Sequence, residues 1–180
     1  MKFESVTTKG GDKGFTSLFN GDRIAKTSQT IKTMGEIDSL NAFLGIIRAN
    51  QNIRKYDKNV ISQIQQNLYE IMGILSGFNS PFPIERLEFL EKKQKLYMRF
   101  LKIPNVFINF GDNEEAALFN LARTQARKAE IAFLELKLEY GYVKNYFNRL
   151  SDLLYVMSII YEYAGKKKSK KLFDFLKRKA

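Results

Sequence analysis

The sequence predicts an all-α fold, an antiparallel five-helix bundle with an N-terminal glycine-rich loop laid over one end. Three observations carry that reading. Apolar residues recur at helical spacing almost without interruption from about residue 28 onward. The breaks between these runs coincide with proline or glycine, at Pro81, Pro83, Pro104 and Gly141. Strand-like alternation is confined to short pieces near Phe3–Val6 and Asn105–Asn109.

Each element follows in order. Ile37, Leu40, Leu44 and Ile47 form the stripe of a first helix, and Ile61, Ile64, Leu68, Ile71 and Leu75 that of a second. Leu87, Leu90, Leu96 and Leu101 mark a third, less regular helix, bounded by the prolines on either side. Residues 103–111 form an irregular connector carrying Phe107 and Phe110. Asp112 followed by Glu115 has the spacing of a capping box, which predicts a fourth helix from there to about Tyr140, stopped by Gly141. Leu118, Leu121, Ala122, Gln125, Ala129, Ala132, Phe133 and Leu136 share its core face, while Ala126 and Leu134 flank the charges on the opposite side. A fifth helix over about 143–164 ends at Gly165, and its apolar residues lie nearly all round, so it is predicted to be buried on most sides.

The length of 180 residues fits one domain, read as 1–165 with a basic tail at 166–180. The tail holds eight Lys/Arg against one Asp, which is +7 of the net +11. Leu172, Phe173, Leu176 and Lys177 give it a weak helical stripe. It reads as a solvated terminus, a docked basic helix, or a contact for RNA or a membrane surface. No apolar run approaches the roughly 18 residues of a membrane span, and the first residues lack a signal-peptide core, so a cytoplasmic location is expected. The chain contains neither Cys nor His. Thiolate chemistry and an imidazole base are thereby excluded, leaving carboxylates, Lys, Arg, hydroxyls, backbone groups or a cofactor.

Polar residues cluster in four places. Residues 7–17, TTKGGDKGFTS, gather glycines, lysines and hydroxyls, the composition of a loop that wraps phosphates or of a flexible turn with solvated lysines. Arg123, Arg127 and Glu130 share one face of the fourth helix, which is either solvated or covered by a second partner. Asn148, Ser151, Asp152 and Tyr155 interrupt the apolar fifth helix on one stripe and need partners there. On the first helix Asp38, Asn41 and Gly45 lie on a line away from the core stripe, where the aspartate could meet an arginine of another helix or another subunit.

These stretches together resemble the PduO-type ATP:cob(I)alamin adenosyltransferases. TKGGDKGFTSLFNGDRIAK (8–26) with MGEIDSLNAFLG (34–45) is similar to the family's amino-terminal signature, TKxGDxGxT, a Lys, then YGxVDELNxxxG. ARTQARKAE (122–130) resembles its ARTxxRRAE helix, and NRLSDLLYV (148–156) its NRLSDYLF segment. The glycine loop does not fit the P-loop pattern GxxxxGK[ST].

The resemblance implies a homotrimer with active sites between subunits. It implies a reaction in which the 5′-deoxyadenosyl group of ATP passes to cobalt and triphosphate leaves. Thr8, Lys9, Gly10, Gly11 and Asp12 would form the ATP loop, Thr16 and Ser17 would add hydroxyl contacts, and Lys26 would reach the triphosphate. Arg127, Lys128, Glu130 and Asn148 would complete the nucleotide site, with Glu130 acting through Mg²⁺. Arg123 and Asp38 match a pair that bridges subunits beside the corrinoid. Phe107 matches the phenylalanine beneath the corrin that keeps the lower axial ligand away. Cob(I)alamin is itself a strong nucleophile, so the missing His and Cys are intelligible.

The chain departs from the family pattern at FINFGD (107–112) for FILPGG, at Lys128 for the second arginine of RRAE, and at Met34 and Ser39. An active enzyme with altered corrinoid affinity is expected. The implied partners are ATP, the corrinoid, and a reductase or a cobalamin-dependent acceptor enzyme. A non-catalytic carrier of adenosylcobalamin and a nucleic-acid-binding bundle are the alternatives. The second is motivated only by the tail, since no aromatic and basic residues interleave on the body to stack bases.

Overall fold

The structure is a computed structural model, and it describes residues 9–99, 101, 103, 107–138 and 140–163. Among the described residues two short strands, β1 (Phe15–Ser17) and β2 (Arg23–Ala25), precede five helices. These are α1 (Gln29–Ala49), α2 (Lys55–Leu75), α3 (Ile84–Met98), α4 (Glu114–Leu134) and α5 (Val143–Glu162).

α1 starts where Ser28, extended in backbone, accepts a hydrogen bond from the Ile31 amide, so one of the otherwise orphan amides of the first turn is satisfied. Its predicted stripe of Ile37, Leu40, Leu44 and Ile47 is wholly buried, as is that of α2 from Ile61 to Leu75. α1 and α4 run antiparallel. Gln29 and Thr33 at the start of α1 donate to the Ala132 carbonyl near the end of α4, and further along α1 the Gln125 side chain donates to the Glu36 carbonyl.

α5 is the central helix. Thirteen of its twenty residues are buried, between α4 on one side and α3 on another. Its buried serines are satisfied by their own helix: Ser151 donates to the Asn148 carbonyl at 2.9 Å and Ser158 to that of Tyr155 at 2.7 Å. By contrast α3 is peripheral, with only Leu90 and Tyr97 fully buried.

Three local readings change. The cap of α4 is Asn113, one residue past the predicted Asp112, and its side chain accepts from the Ala116 amide at 2.8 Å. α4 stops at Leu134 rather than near Tyr140. Lys137 takes a left-handed backbone there, and the chain turns so that Leu136 and Tyr140 pack back on the core beside Phe133. The inner face of α4 keeps Ala122, Gln125, Ala129, Ala132 and Phe133 as predicted but is wider: Phe119 and Ala126 are also buried while Leu121 is exposed, because the helix packs against both α1 and α5.

The hairpin β1–β2 occupies the region where no strand was expected, with Phe15 opposite Ala25 and Ser17 opposite Arg23. Of the two strand pieces predicted, Phe3–Val6 and Asn105–Val106 lie outside the described residues, and Phe107–Asn109 is irregular. Pro104, the helix end at 164–165 and the basic tail at 166–180 also lie outside them. Among the described residues no helix is long and apolar enough to cross a membrane.

Candidate active site

The glycine-rich loop is a run of tight turns closed by the hairpin. The Asp12 amide donates to the Lys9 carbonyl and the Gly14 amide to the Gly11 carbonyl, both at 3.2 Å. Lys26, the residue after β2, donates its amide to the Gly14 carbonyl at 2.8 Å, and Arg23 donates from Nη2 to the Gly10 carbonyl at 2.9 Å.

Gly11 lies directly against Lys26: a Cβ there would sit 2.6 Å from the Lys26 ammonium nitrogen, which would have to swing aside. The loop and Lys26 are thus brought together, as the sequence predicts. Thr16 and Ser17 lie on β1, and Lys9, Asp12 and Lys26 are exposed. Thr8 lies outside the described residues.

The hairpin turn is anchored to the end of α2. The Phe19 amide donates to the Ser76 hydroxyl at 2.8 Å, and the rings of Phe19 and Phe78 meet edge to face at 5.5 Å. Gln29, at the start of α1, reaches the Glu135 carboxylate at 2.9 Å, so the loop and the end of α4 share one end of the bundle. The hydrogen bonds that tie the loop down run to Arg23, Lys26 and Ser76 rather than to Arg127, Lys128, Glu130 or Asn148.

A second group of predicted residues lies on α4 and α5. Phe107, Arg123 and Arg127 line one open cleft of about 360 Å³, together with Ile108, Phe110, Asn120, Ser151, Asp152 and Tyr155. The ring of Phe107 is fully exposed.

Arg123 is half-buried. Its Nε donates to Asn120 Oδ1 at 2.9 Å, and its guanidinium lies 5.8 Å from the centroid of the Tyr155 ring. One turn further along α4, Arg127 and Lys128 are exposed. Glu130 accepts from Asn148 Nδ2 at 3.4 Å, so these two predicted residues meet across α4 and α5. Asn148 also accepts from Arg149 at 2.6 Å.

Among the described residues no cluster of three metal-ligating side chains forms, which leaves Glu130 as a lone carboxylate. Mg²⁺ commonly binds through one carboxylate, waters and substrate phosphates, and the donor set here suits that mode.

Asp38 is exposed on α1 and forms no ion pair with Arg123 among the described residues of a single chain. Its neighbour on the same predicted line, Asn41, is buried, because α2 packs there and Gln65 donates to the Asn41 carbonyl at 3.1 Å.

Sequence reasoning had flagged Ser151, Asp152 and Tyr155 as a polar stripe without giving them a place in the cleft. Asn120 carried no signal at all, since a single amide on a helix face looks like any other solvated residue. A wider groove of about 700 Å³, beside Tyr56 and Lys93, gathers none of the predicted site residues.

Fold and site together define a helical-bundle protein with a cationic glycine loop at one end and an arginine-lined aromatic cleft on its flank. Residues 6–161 match the cobalamin adenosyltransferase family, and the chain belongs to it. It is 30% identical to a cobalamin adenosyltransferase of Cupriavidus metallidurans, with 91% of each chain covered. It is 34% identical to the corrinoid adenosyltransferase PduO of Salmonella typhimurium over 86% of its own length, and it spans about half (48%) of that relative.

Among solved structures it is similar to variants of a PduO-type ATP:corrinoid adenosyltransferase from Lactobacillus reuteri. One, complexed with ATP, has a TM-score of 0.72 and 27% identity, covering 84% of this chain and 90% of that one. Another, complexed with cobalamin and ATP, has a TM-score of 0.73 and 25% identity, covering 94% and 92%.

Proposed function

We propose that this chain transfers the 5′-deoxyadenosyl group of ATP to the cobalt of cob(I)alamin, with release of triphosphate. The observation that carries this reading is the cleft on α4 and α5, where an uncovered aromatic ring, Phe107, stands beside Arg123 and Arg127. An apolar ring face suits a flat macrocycle, and the arginines suit anionic oxygen. Family membership and the relatives complexed with ATP and cobalamin support the same reading.

In this reaction the Co(I) electron pair attacks C5′ of ATP, the C5′–O bond breaks, and the pair leaves on triphosphate. The nucleophile arrives with the substrate, so the protein's work is orientation and charge. Lys9, Lys26, Arg127 and Lys128 offset the charge of the triphosphate, while Gly10 and Gly11 let the backbone approach it. Thr8, Asp12, Thr16, Ser17 and Asn148 complete the nucleotide contacts, and Glu130 would hold Mg²⁺, which would supply further positive charge for the triphosphate. Phe107 lies beneath the corrin and keeps the lower axial ligand away. Arg123 meets Asp38 of a second copy beside the corrinoid in a homotrimer, a pairing that neither group makes among the described residues of one chain.

The test is anaerobic. ATP and Mg²⁺ are added to chemically reduced cob(I)alamin with the protein, and loss of the Co(I) absorbance is followed alongside triphosphate release. Conversion is expected, and in Arg127→Ala it should fall at least tenfold, the scale of one lost charge-assisted contact in the transition state. Corrinoid and ATP binding without triphosphate release would instead assign the chain the role of a carrier.

A further inference from the structure

Arg123 is braced from two sides, by Asn120, which lies outside the motifs, and by Tyr155, which lies within NRLSDLLYV but has no role assigned there. On its own helix, Nε–H is taken up by Asn120 Oδ1 at 2.9 Å, one turn earlier. Across the cleft, the Tyr155 ring of α5 lies under the guanidinium, 5.8 Å from centroid to Cζ. Tyr155 is itself held: Phe110 meets it edge to face, with ring centroids 6.3 Å apart and planes at 85°. Phe110 belongs to the same connector as Phe107, three residues earlier.

We infer that Asn120 and Tyr155 are positioning residues, which hold the Arg123 fork ready for the corrinoid side of the site and tie its position to the connector that presents Phe107. The inference rests on the adenosyltransferase reading above.

The chemistry of each brace favours this role over plain packing. Asn120 engages only Nε, and neither Nη group of Arg123 makes a hydrogen bond or ion pair among the described residues. Both terminal donors therefore remain available as a planar fork. Asn120 is also a neutral acceptor: it fixes the plane of the guanidinium without cancelling its charge, as a carboxylate at this position would. A ring beneath a guanidinium restrains it from the other side and attracts it through the ring's quadrupole.

A long arginine side chain free in water spreads over many rotamers and loses that freedom on binding; one already held loses less. Arg127, one turn on, has no such brace among the described residues and is exposed. The difference separates a pre-set group, Arg123, from a mobile one, Arg127, which suits a rigid macrocycle and a flexible phosphate chain respectively.

The experiment is an absorbance titration of cob(II)alamin against the ATP-loaded protein, repeated as a steady-state determination of KM for cob(I)alamin and for ATP. Asn120→Ala and Tyr155→Leu should each weaken corrinoid binding about tenfold, the order expected for loss of one oriented cation contact. The KM for ATP should stay within about twofold. Tyr155→Phe, which keeps the ring, should bind as the unaltered protein does.

Asparagine is a poorer helix former than alanine, so Asn120→Ala should hold or raise the melting temperature even as corrinoid affinity falls. In an Arg123→Ala background neither substitution should cost anything more, since the group they position is gone. Unchanged corrinoid affinity in both single variants, or an equal loss with Arg123 already removed, would overturn the inference while the adenosyltransferase reading stands. Failure of the unaltered, ATP-loaded protein to bind cobalamin would overturn that reading and this inference with it.

Discussion

Asp57 is the most deeply buried charge among the described residues, and it lies away from the cleft. In the first turn of α2 it accepts from Arg54 Nε at 2.7 Å, from the Tyr161 hydroxyl at 2.6 Å and from the Tyr97 hydroxyl. Three helices are therefore pinned through one carboxylate. Removing it takes a charged acceptor away from a buried guanidinium and from two buried hydroxyls, so Asp57→Ala should cost about 3 kcal/mol in a denaturant titration.

Burial, and after it the nearby Asp57 carboxylate, pushes the Tyr97 and Tyr161 hydroxyls above the usual tyrosine range. A raised value means that the folded state favours the protonated phenol. The associated stability is present below the ordinary value of about 10 and is lost as pH rises beyond it. Tyr97→Phe should accordingly show a shallower decline in stability above about pH 10 than the unaltered protein. Phe107 is the opposite case. Its ring makes little packing contribution, so Phe107→Ala should change stability by less than about 0.5 kcal/mol. The rate of adenosylation should nevertheless fall, and calorimetry alongside the anaerobic assay separates the two effects.

At the scale of elements, the glycine-rich loop is held by docking rather than by its own strands, which are three residues each. The contact depends on Gly77, which has a left-handed backbone with φ of 92°, and a Cβ there would lie 2.7 Å from the Asn20 side chain. Gly77→Ala should cost about 1–2 kcal/mol from backbone strain and displacement of the hairpin turn. If the hairpin positions Lys26 and the glycine loop, the same variant should raise KM for ATP several-fold and leave KM for the corrinoid near its original value.

The helices show why some of this was legible. α1 and α2 each bury a narrow stripe, and periodicity alone located it. α4 packs against two neighbours, α1 and α5, so its buried arc is wider and its centre is set by both partners. A wheel drawn on apolar residues therefore put Leu121 inside and Ala126 outside, the reverse of what packing selects.

At the scale of the molecule, one chain leaves its chemistry in two places: a glycine–lysine loop at one end and an arginine–aromatic cleft on the flank. Asp38 and Arg123 are unpaired with each other within it. The proposed trimer brings them together from different copies. Asp38→Arg should weaken assembly in sedimentation velocity, and the paired reversal with Arg123→Asp should restore part of it. A normally assembled, fully active Asp38→Arg protein would remove that assignment.

The sequence alone determined the five helices, the stripes of α1 and α2, the burial of α5, the absence of cysteine and histidine chemistry, and the motifs that carry the family. Those features are local or periodic, and a chain writes them directly in residue order. The tertiary structure decided which residues share a cleft, the wider buried arc of α4, the early stop at Leu134, the docking of the hairpin on Ser76, and the braces of Asn120 and Tyr155 on Arg123. Each of those depends on side chains far apart in sequence meeting at van der Waals or hydrogen-bond distance, and no spacing along the chain encodes such a meeting.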